Sequence, residues 1–309
     1  MILTLTLNPA IDRNVSADRL VFDDRAYILT TDEAPGGRGI NASMVIHSFG
    51  GKTVAIAPAG GESGERFRQH IAKRGFDVDL IPVSADMRTN LTITDKHGLT
   101  VKLNEFGPEL KAGELERIEQ AVQNRLPKAK WLMLCGSLPR GVPDTFYAKL
   151  IQAAREAEVN TLVDADGDAL LHAVEAEPTI VTPNQQEAER LLNRALLTRS
   201  HYIEAVERIQ AMGAAEVVLS LASRGAYGMV GDRIYEAVPP RVDAVCPIGA
   251  GDAMAAAFVW ARAKGKEFWD ALRWAVATGT ASAQLPGVTF ANLDQTKAIY
   301  KKVEVRPVR

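Results

Sequence analysis

The chain has 309 residues, 47% of them hydrophobic and 24% charged, with a formal net charge of −2. Those values suit one large or two small folded α/β domains, and no long stretch calls for disorder. They exclude a strong overall field for nucleic acid or a membrane surface, and no apolar run of about 18 residues offers a membrane span.

The opening string MILTLTLNPAID is apolar for only seven residues and lacks a basic flank, so no secretory leader is expected. In chain order, β-rich runs fall at residues 2–7, 53–58, 131–134, 161–163, 179–181 and 216–219. Amphipathic helical stretches alternate with them at 39–49, 63–74, 114–125, 144–156 and 202–212, and helices at 251–264 and 269–284 follow. Strand–helix alternation predicts an α/β fold with a mostly parallel sheet covered on both faces. Residues 13–34 and 88–104 break the alternation and read as strands alone, the second as a hairpin LTITD-KHG-LTVKL. We expect these two segments to form a small discontinuous β lid on a single domain spanning 1–309. Cys135 and Cys246 stand far apart and outside any C-x-x-C pair, so two buried thiols in a reducing, cytoplasmic compartment are expected.

The strongest chemical signal is PIGAGDAMAAAFVWARA, residues 247–263. Gly249 and Gly251 flank Ala250, and a helix of small residues begins at once. Backbone N–H groups converging at such a start attract anions, which is what a transferring phosphoryl group needs. Asp252, in the first turn, can take a proton from an attacking hydroxyl. The string is neither a Walker A loop nor a Rossmann fingerprint; Gly51-Lys52-Thr53 ends like the former, but Ile46 stands at its first-glycine position. A second signal, PGGRGINAS, precedes the helix at 39–49. Gly36 and Gly37 let the backbone approach a ligand, and Asn41 can both donate to and accept from sugar hydroxyls.

The two strings, in this order, resemble the ribokinase-like (PfkB) carbohydrate kinases. TLTLNPAID, CGSLPRGVP and TPNQQE bring the resemblance closest to the phosphofructokinase branch, over residues from about 3 to beyond 287. That resemblance implies an ATP- and Mg-dependent phosphotransferase built as a Rossmann-like α/β sandwich with a small β lid that often clasps a homodimer. It assigns Asp252 as the base and Gly249, Ala250 and Gly251 as the anion hole. Asp12, Gly36, Gly37 and Asn41 match sugar-binding positions. Asn184 and Glu187 match an N-x-x-E motif tied to Mg and phosphate. Ser220 and Gly225 match the nucleotide loop, and Gly279 lies where the adenine site closes. Arg88 and Asn90 match the R-x-N of members that act on phosphosugars. Arg25 aligns with a lid lysine of some relatives, and Arg38 stands where many have lysine or glycine. Converging arginines suit a dianionic substrate. The substrate we expect is fructose 1-phosphate, becoming fructose 1,6-bisphosphate. Tagatose 6-phosphate, fructose 6-phosphate, an unphosphorylated sugar or nucleoside, and a sensor without turnover are the alternatives. No nucleic acid or membrane partner is expected. Pro247, Thr182 and Ala222 replace a threonine, a lysine and a glycine usual in the family.

Two further patterns carry less. Asp164, Asp166 and Asp168 read D-x-D-x-D, but the glycine that an EF-hand loop requires is Ala169. The five histidines show no metal-ligand spacing, and Trp260, Trp269 and Trp274 read as packing residues.

Overall fold

Ten strands form the central sheet, and its parallel part is the reason that the site lies where it does. The computed structural model describes residues 1–308. In chain order its elements begin with β1 (Ile2–Thr6), β2 (Ala10–Ala17), β3 (Ile28–Gly36), α1 (Arg38–Ser48), β4 (Thr53–Ala59), α2 (Gly61–Ala72), β5 (Asp77–Pro82), β6 (Arg88–Asp95) and β7 (Thr100–Asn104). They continue with α3 (Ala112–Gln123), β8 (Trp131–Cys135), α4 (Phe146–Glu156), β9 (Asn160–Asp164), α5 (Gly167–Glu175), β10 (Ile180–Val181), α6 (Gln185–Leu192), α7 (Arg199–Ala211) and β11 (Glu216–Ser220). The last are β12 (Ala226–Val230), β13 (Arg233–Val238), α8 (Ala250–Ala263), α9 (Phe268–Ala283), α10 (Leu293–Tyr300) and β14 (Glu304–Pro307).

The large sheet runs β14-β13-β12-β11-β10-β9-β8-β1-β4-β5. From β11 to β5 every pairing is parallel, and β12, β13 and β14 extend it antiparallel. Every residue of β1, β4 and β8 is buried, as a parallel strand covered on both faces requires. Helices α3 to α7 pack apolar side chains on one face, with α1, α8 and α9 on the other. The expected α/β class and mostly parallel sheet are therefore present. Sequence periodicity missed β5, α5, α6, α10 and the three antiparallel strands.

Sheet two is small and separate, in the order β3-β2-β6-β7. The segments expected around 13–34 and 88–104 supply its strands: the first reaches further, from 10 to 36 with a loop at 18–27, and the second keeps the expected bounds. β2 leaves the core only three residues after β1 ends. It pairs with β6 in parallel, so Asp12 stands opposite Asn90 and Ala10 opposite Arg88. Residues that pair, and residues two apart, share a face. Arg88, Asn90 and Asp12 thus lie on one face. Val15, Leu91, Ile93, Val101 and Leu103 lie on the other. At the β6–β7 turn the Asp95 carboxylate accepts hydrogen bonds from the N–H groups of His97 and Leu99.

Candidate active site

In parallel α/β sheets ligand-binding groups gather beyond the carboxyl ends of the strands. Here those ends deliver Asp164 from β9, Thr182 and Asn184 after β10, and Ser220 from β11. With Arg38, Glu187, Gly251 and Asp252 they line a cleft of about 190 Å³.

Asp252 lies in the first turn of α8. Gly249, the residue before that helix, has φ 78°, a left-handed conformation that glycine adopts without penalty. Its Cα also faces Phe290, whose ring would stand 2.8 Å from an added Cβ. No side chain caps α8. Ala250 donates its N–H to the Pro247 carbonyl, which leaves the N–H groups of Gly251 and Asp252 open. Asn41 of α1 donates from Nδ2 to Asp252 Oδ2 at 2.7 Å. Burial, then the neighbouring Asp164 carboxylate, push the Asp252 carboxyl up to about 7. Asn41 and Arg38 pull in the opposite direction.

On the small sheet, Asn90 donates to Asp12 Oδ1 at 2.8 Å. A Cβ at position 36 would fall 2.1 Å from Asp12 Oδ2, so only glycine lets β3 pass this close. Burial raises the Asp12 pKa, partly offset by Asn90 and Arg88. Arg88 donates from Nη1 to the Glu105 carbonyl at 3.1 Å, while its Nε is buried without a partner. Gly37, at the N-cap of α1, joins this sheet to the helix that carries Asn41.

Across the cleft, Asn184 and Glu187 close the start of α6. The Asn184 side chain accepts from the Glu187 N–H at 3.0 Å, and Glu187 Oε2 accepts from the Asn184 N–H at 2.8 Å. Burial raises the Glu187 pKa, and Arg38 lowers it. Glu187 and Asp164 are hard oxygen donors. Among the described residues no three His, Cys, Asp or Glu converge to cage an ion. Such a donor set fits a cation that keeps much of its water and takes phosphate oxygens, as Mg does.

The structure brings most of the expected residues together, with two differences. Arg25 is exposed in the loop after β2, and β2 carries the chain roughly 17 Å beyond Asp12 at about 3.3 Å per residue, so one chain does not bring Arg25 to the cluster. Arg38, expected at a substrate phosphate, instead ion-pairs with Asp164 at 2.8 Å and Glu187 at 3.1 Å. Gly279 packs beneath the first turn of α8, where a Cβ would meet Met254 at 2.5 Å and the Ala250 carbonyl at 3.0 Å. Gly225 closes the loop after β11, its carbonyl accepting from the Leu221 N–H at 2.8 Å. In the same loop Ala222 holds a left-handed φ of 52°. Sequence reasoning set Asp164 aside as a calcium ligand and, from the family resemblance, placed its loop near the active-site edge without giving the residue a role. Its signal as a site residue was its place at the end of a parallel strand.

This sheet, with its second small sheet and a glycine-led helix over the strand ends, has the ribokinase-like architecture. Residues 6–295 match the model of the pfkB family carbohydrate kinase, and the chain belongs to that family. It is 28% identical over 284 residues to a 1-phosphofructokinase of Borreliella burgdorferi, covering 92% of each chain. Phosphofructokinase-2 from Escherichia coli, solved in complex with potassium, superposes with a TM-score of 0.93 at 30% identity, covering 97% of this chain and 98% of that one. The same Escherichia coli protein has been solved with fructose-6-phosphate, at a TM-score of 0.90, 30% identity and the same coverage, and in a tetrameric inhibited form with the same values. The protein is an ATP-dependent sugar phosphate kinase of the phosphofructokinase branch.

Proposed function

We propose that the protein transfers the γ-phosphoryl group of ATP to a free hydroxyl of fructose 1-phosphate, giving fructose 1,6-bisphosphate and ADP. The observation that carries this reading is Asp252, a carboxylate with a raised pKa beside two open N–H groups. The substrate hydroxyl gives its proton to Asp252 while its oxygen attacks the γ-phosphorus. The bond from that phosphorus to the β–γ bridging oxygen breaks, and ADP leaves. Open N–H groups of Gly251 and Asp252, with the Gly249–Ala250 turn that presents them, stabilise charge on the transferring oxygens. Asp12, Asn90 and Asn41, with the close backbone at Gly36 and Gly37, orient the sugar.

Arg88 takes the sugar's existing phosphate, and its buried, unpartnered Nε marks a guanidinium whose donors are not all spent within the protein. Asn184, Ser220 and the Gly225 loop hold the nucleotide, and Gly279 lets α9 close on α8 behind it. A Mg ion, held through water by Glu187 with Asp164 beside it, would offset the charge of the nucleotide phosphates. The opening TLTLNPAID and the 1-phosphofructokinase relative, matched over 92% of both chains, favour fructose 1-phosphate. Measuring ADP release with fructose 1-phosphate, fructose 6-phosphate, tagatose 6-phosphate, fructose and ribose tests this. The highest kcat/KM should fall to fructose 1-phosphate, and a preference for any other compound overturns the choice. Arg88→Ala should cost about 2–4 kcal/mol in kcat/KM for the sugar phosphate, with little change in the KM for ATP.

We further propose a homodimer through the small sheet, in the cytoplasm. Phe22 is 98% exposed and Leu103 55%, and Leu103 lies on the apolar face opposite Asp12, Arg88 and Asn90. A second copy is the occupant that buries such a face symmetrically. Two free thiols agree with a reducing compartment. Sedimentation should give twice the chain mass for the wild type and a single-chain mass for Leu103→Glu; a wild type at single-chain mass refutes the clasp.

A further inference from the structure

Arg38 opens α1 next to the glycines that face the sugar, yet its side chain reaches across to the nucleotide half of the cleft. Nη1 meets Asp164 Oδ1 at 2.8 Å and Nη2 meets Glu187 Oε1 at 3.1 Å. The Asp164 and Glu187 side chains are only 9% and 3% exposed, and that of Arg38 is 30% exposed. Glu187 cannot turn away, because its other oxygen is tied to the Asn184 N–H. Asp252 and Asp166 strengthen the negative field around the same guanidinium. The result is a positive charge planted between two hard oxygen donors that face the nucleotide.

Two buried carboxylates need a compensating charge. Arg38 supplies it. A divalent ion arriving with nucleotide phosphates supplies the same charge and seeks the same oxygens. Two cations within a few ångströms of each other in a partly dry cleft repel strongly. Glu187 Oε1 therefore serves one or the other.

We infer that Arg38 is a stand-in cation: it holds Asp164 and Glu187 before metal and nucleotide bind, suppresses metal binding without nucleotide, and is displaced when the two enter together. The inference rests on the kinase reading above. Once displaced, the guanidinium stays within the cleft and can turn its fork toward phosphoryl oxygens. A planar fork is required, because it grips both acids at once. The lysine or glycine usual here in related kinases would hold one acid or neither. Metal and nucleotide thus bind with strong positive coupling in this chain.

The probe is Mn²⁺, followed by its electron paramagnetic resonance signal, with and without ADP, on wild type, Arg38→Met and Arg38→Lys. Nucleotide-free Mn²⁺ binding should tighten by about tenfold or more in Arg38→Met and by about twofold to threefold in Arg38→Lys. Equal nucleotide-free affinity in all three proteins would overturn the proposal. Arg38→Met leaves two acids unpaired, so a second measurement uses the wild type alone. A crystal structure with Mn²⁺ and a non-hydrolysable ATP analogue should show the Arg38–Glu187 contact broken. Both ion pairs kept intact beside a bound ion would refute the idea. ADP release by wild type with sugar phosphates tests the kinase reading separately, since Mn²⁺ binding needs no turnover.

Discussion

Helices α6 and α8 both begin at the cleft, and their first turns are finished in opposite ways. At α6 the Asn184 and Glu187 side chains answer each other's backbone N–H groups. At α8 no side chain caps the turn, and Gly249 presents its donors to the cleft. Leaving a helix start uncapped sacrifices about 1 kcal/mol of stability. A sequence that completes one cap and omits the other at the same cleft keeps the second set of donors for an anion. The completed cap has a use of its own. It fixes one Glu187 oxygen, so the other is turned toward Arg38.

The largest test of this contrast is Asp252→Asn. Turnover should fall by ~10²–10⁴, the usual worth of a positioned general base, with the unfolding midpoint nearly unchanged. A variant retaining a tenth of wild-type turnover sinks the assignment. In the wild type, Asp252 must be deprotonated to accept a proton, and its pKa is pushed up to about 7. The kcat/KM should therefore fall about tenfold per pH unit below that value. A profile flat from pH 7 to 5 would show that this carboxyl does not gate the reaction.

Smaller effects separate the two helix starts. Gly251 has nothing within 4 Å of an added Cβ, so Gly251→Ala fits and should stabilise the ligand-free fold by about 0.5–1 kcal/mol. The methyl group would project into the space a phosphoryl group needs, so turnover should drop as stability rises. A rise in both would show that the open start of α8 is not an anion site. Asn184→Ala at the closed start should have the opposite character, losing about 1 kcal/mol of stability in urea titration. Unchanged stability there would mean that the α6 cap bears no weight.

Legibility in the sequence followed the length and regularity of each element. The long periodic helices α8 and α9 and the fully apolar strands were readable, because burial imposes a pattern on them. Helix α6 has eight residues and too few turns for periodicity. Its Asn184-to-Glu187 spacing is nonetheless a capping-box signature, and was read only as a ligand motif. Asn292 and Gln295 carry the same unread signal for α10. The β12–β13 hairpin was marked by Gly231-Asp232, a two-residue turn between apolar runs. Asp12, Asn41, Asn90 and Asp252 were named from motifs, but their contacts depend on strand register and helix placement, which no local string encodes. The Arg38 fork was hidden for the same reason: its partners lie 126 and 149 positions away in sequence.

The short link from β1 to β2 has a consequence for how such an enzyme changes its preferences. Asp12, Arg88 and Asn90 ride on one small sheet, joined through β2 to the central strand by three residues. Asp252 and Asn41 belong to helices packed on the main sheet. On the proposed reading, recognition and chemistry thus sit largely on separate mechanical parts, joined by the Asp12 carboxylate, which helps to raise the Asp252 pKa. Substitutions of Arg88 or Asn90 would then redirect which sugar is held without removing the proton acceptor. Changes at the head of α8 would instead alter the rate for every sugar alike. Descent with new specificity is easy in a molecule divided along that line.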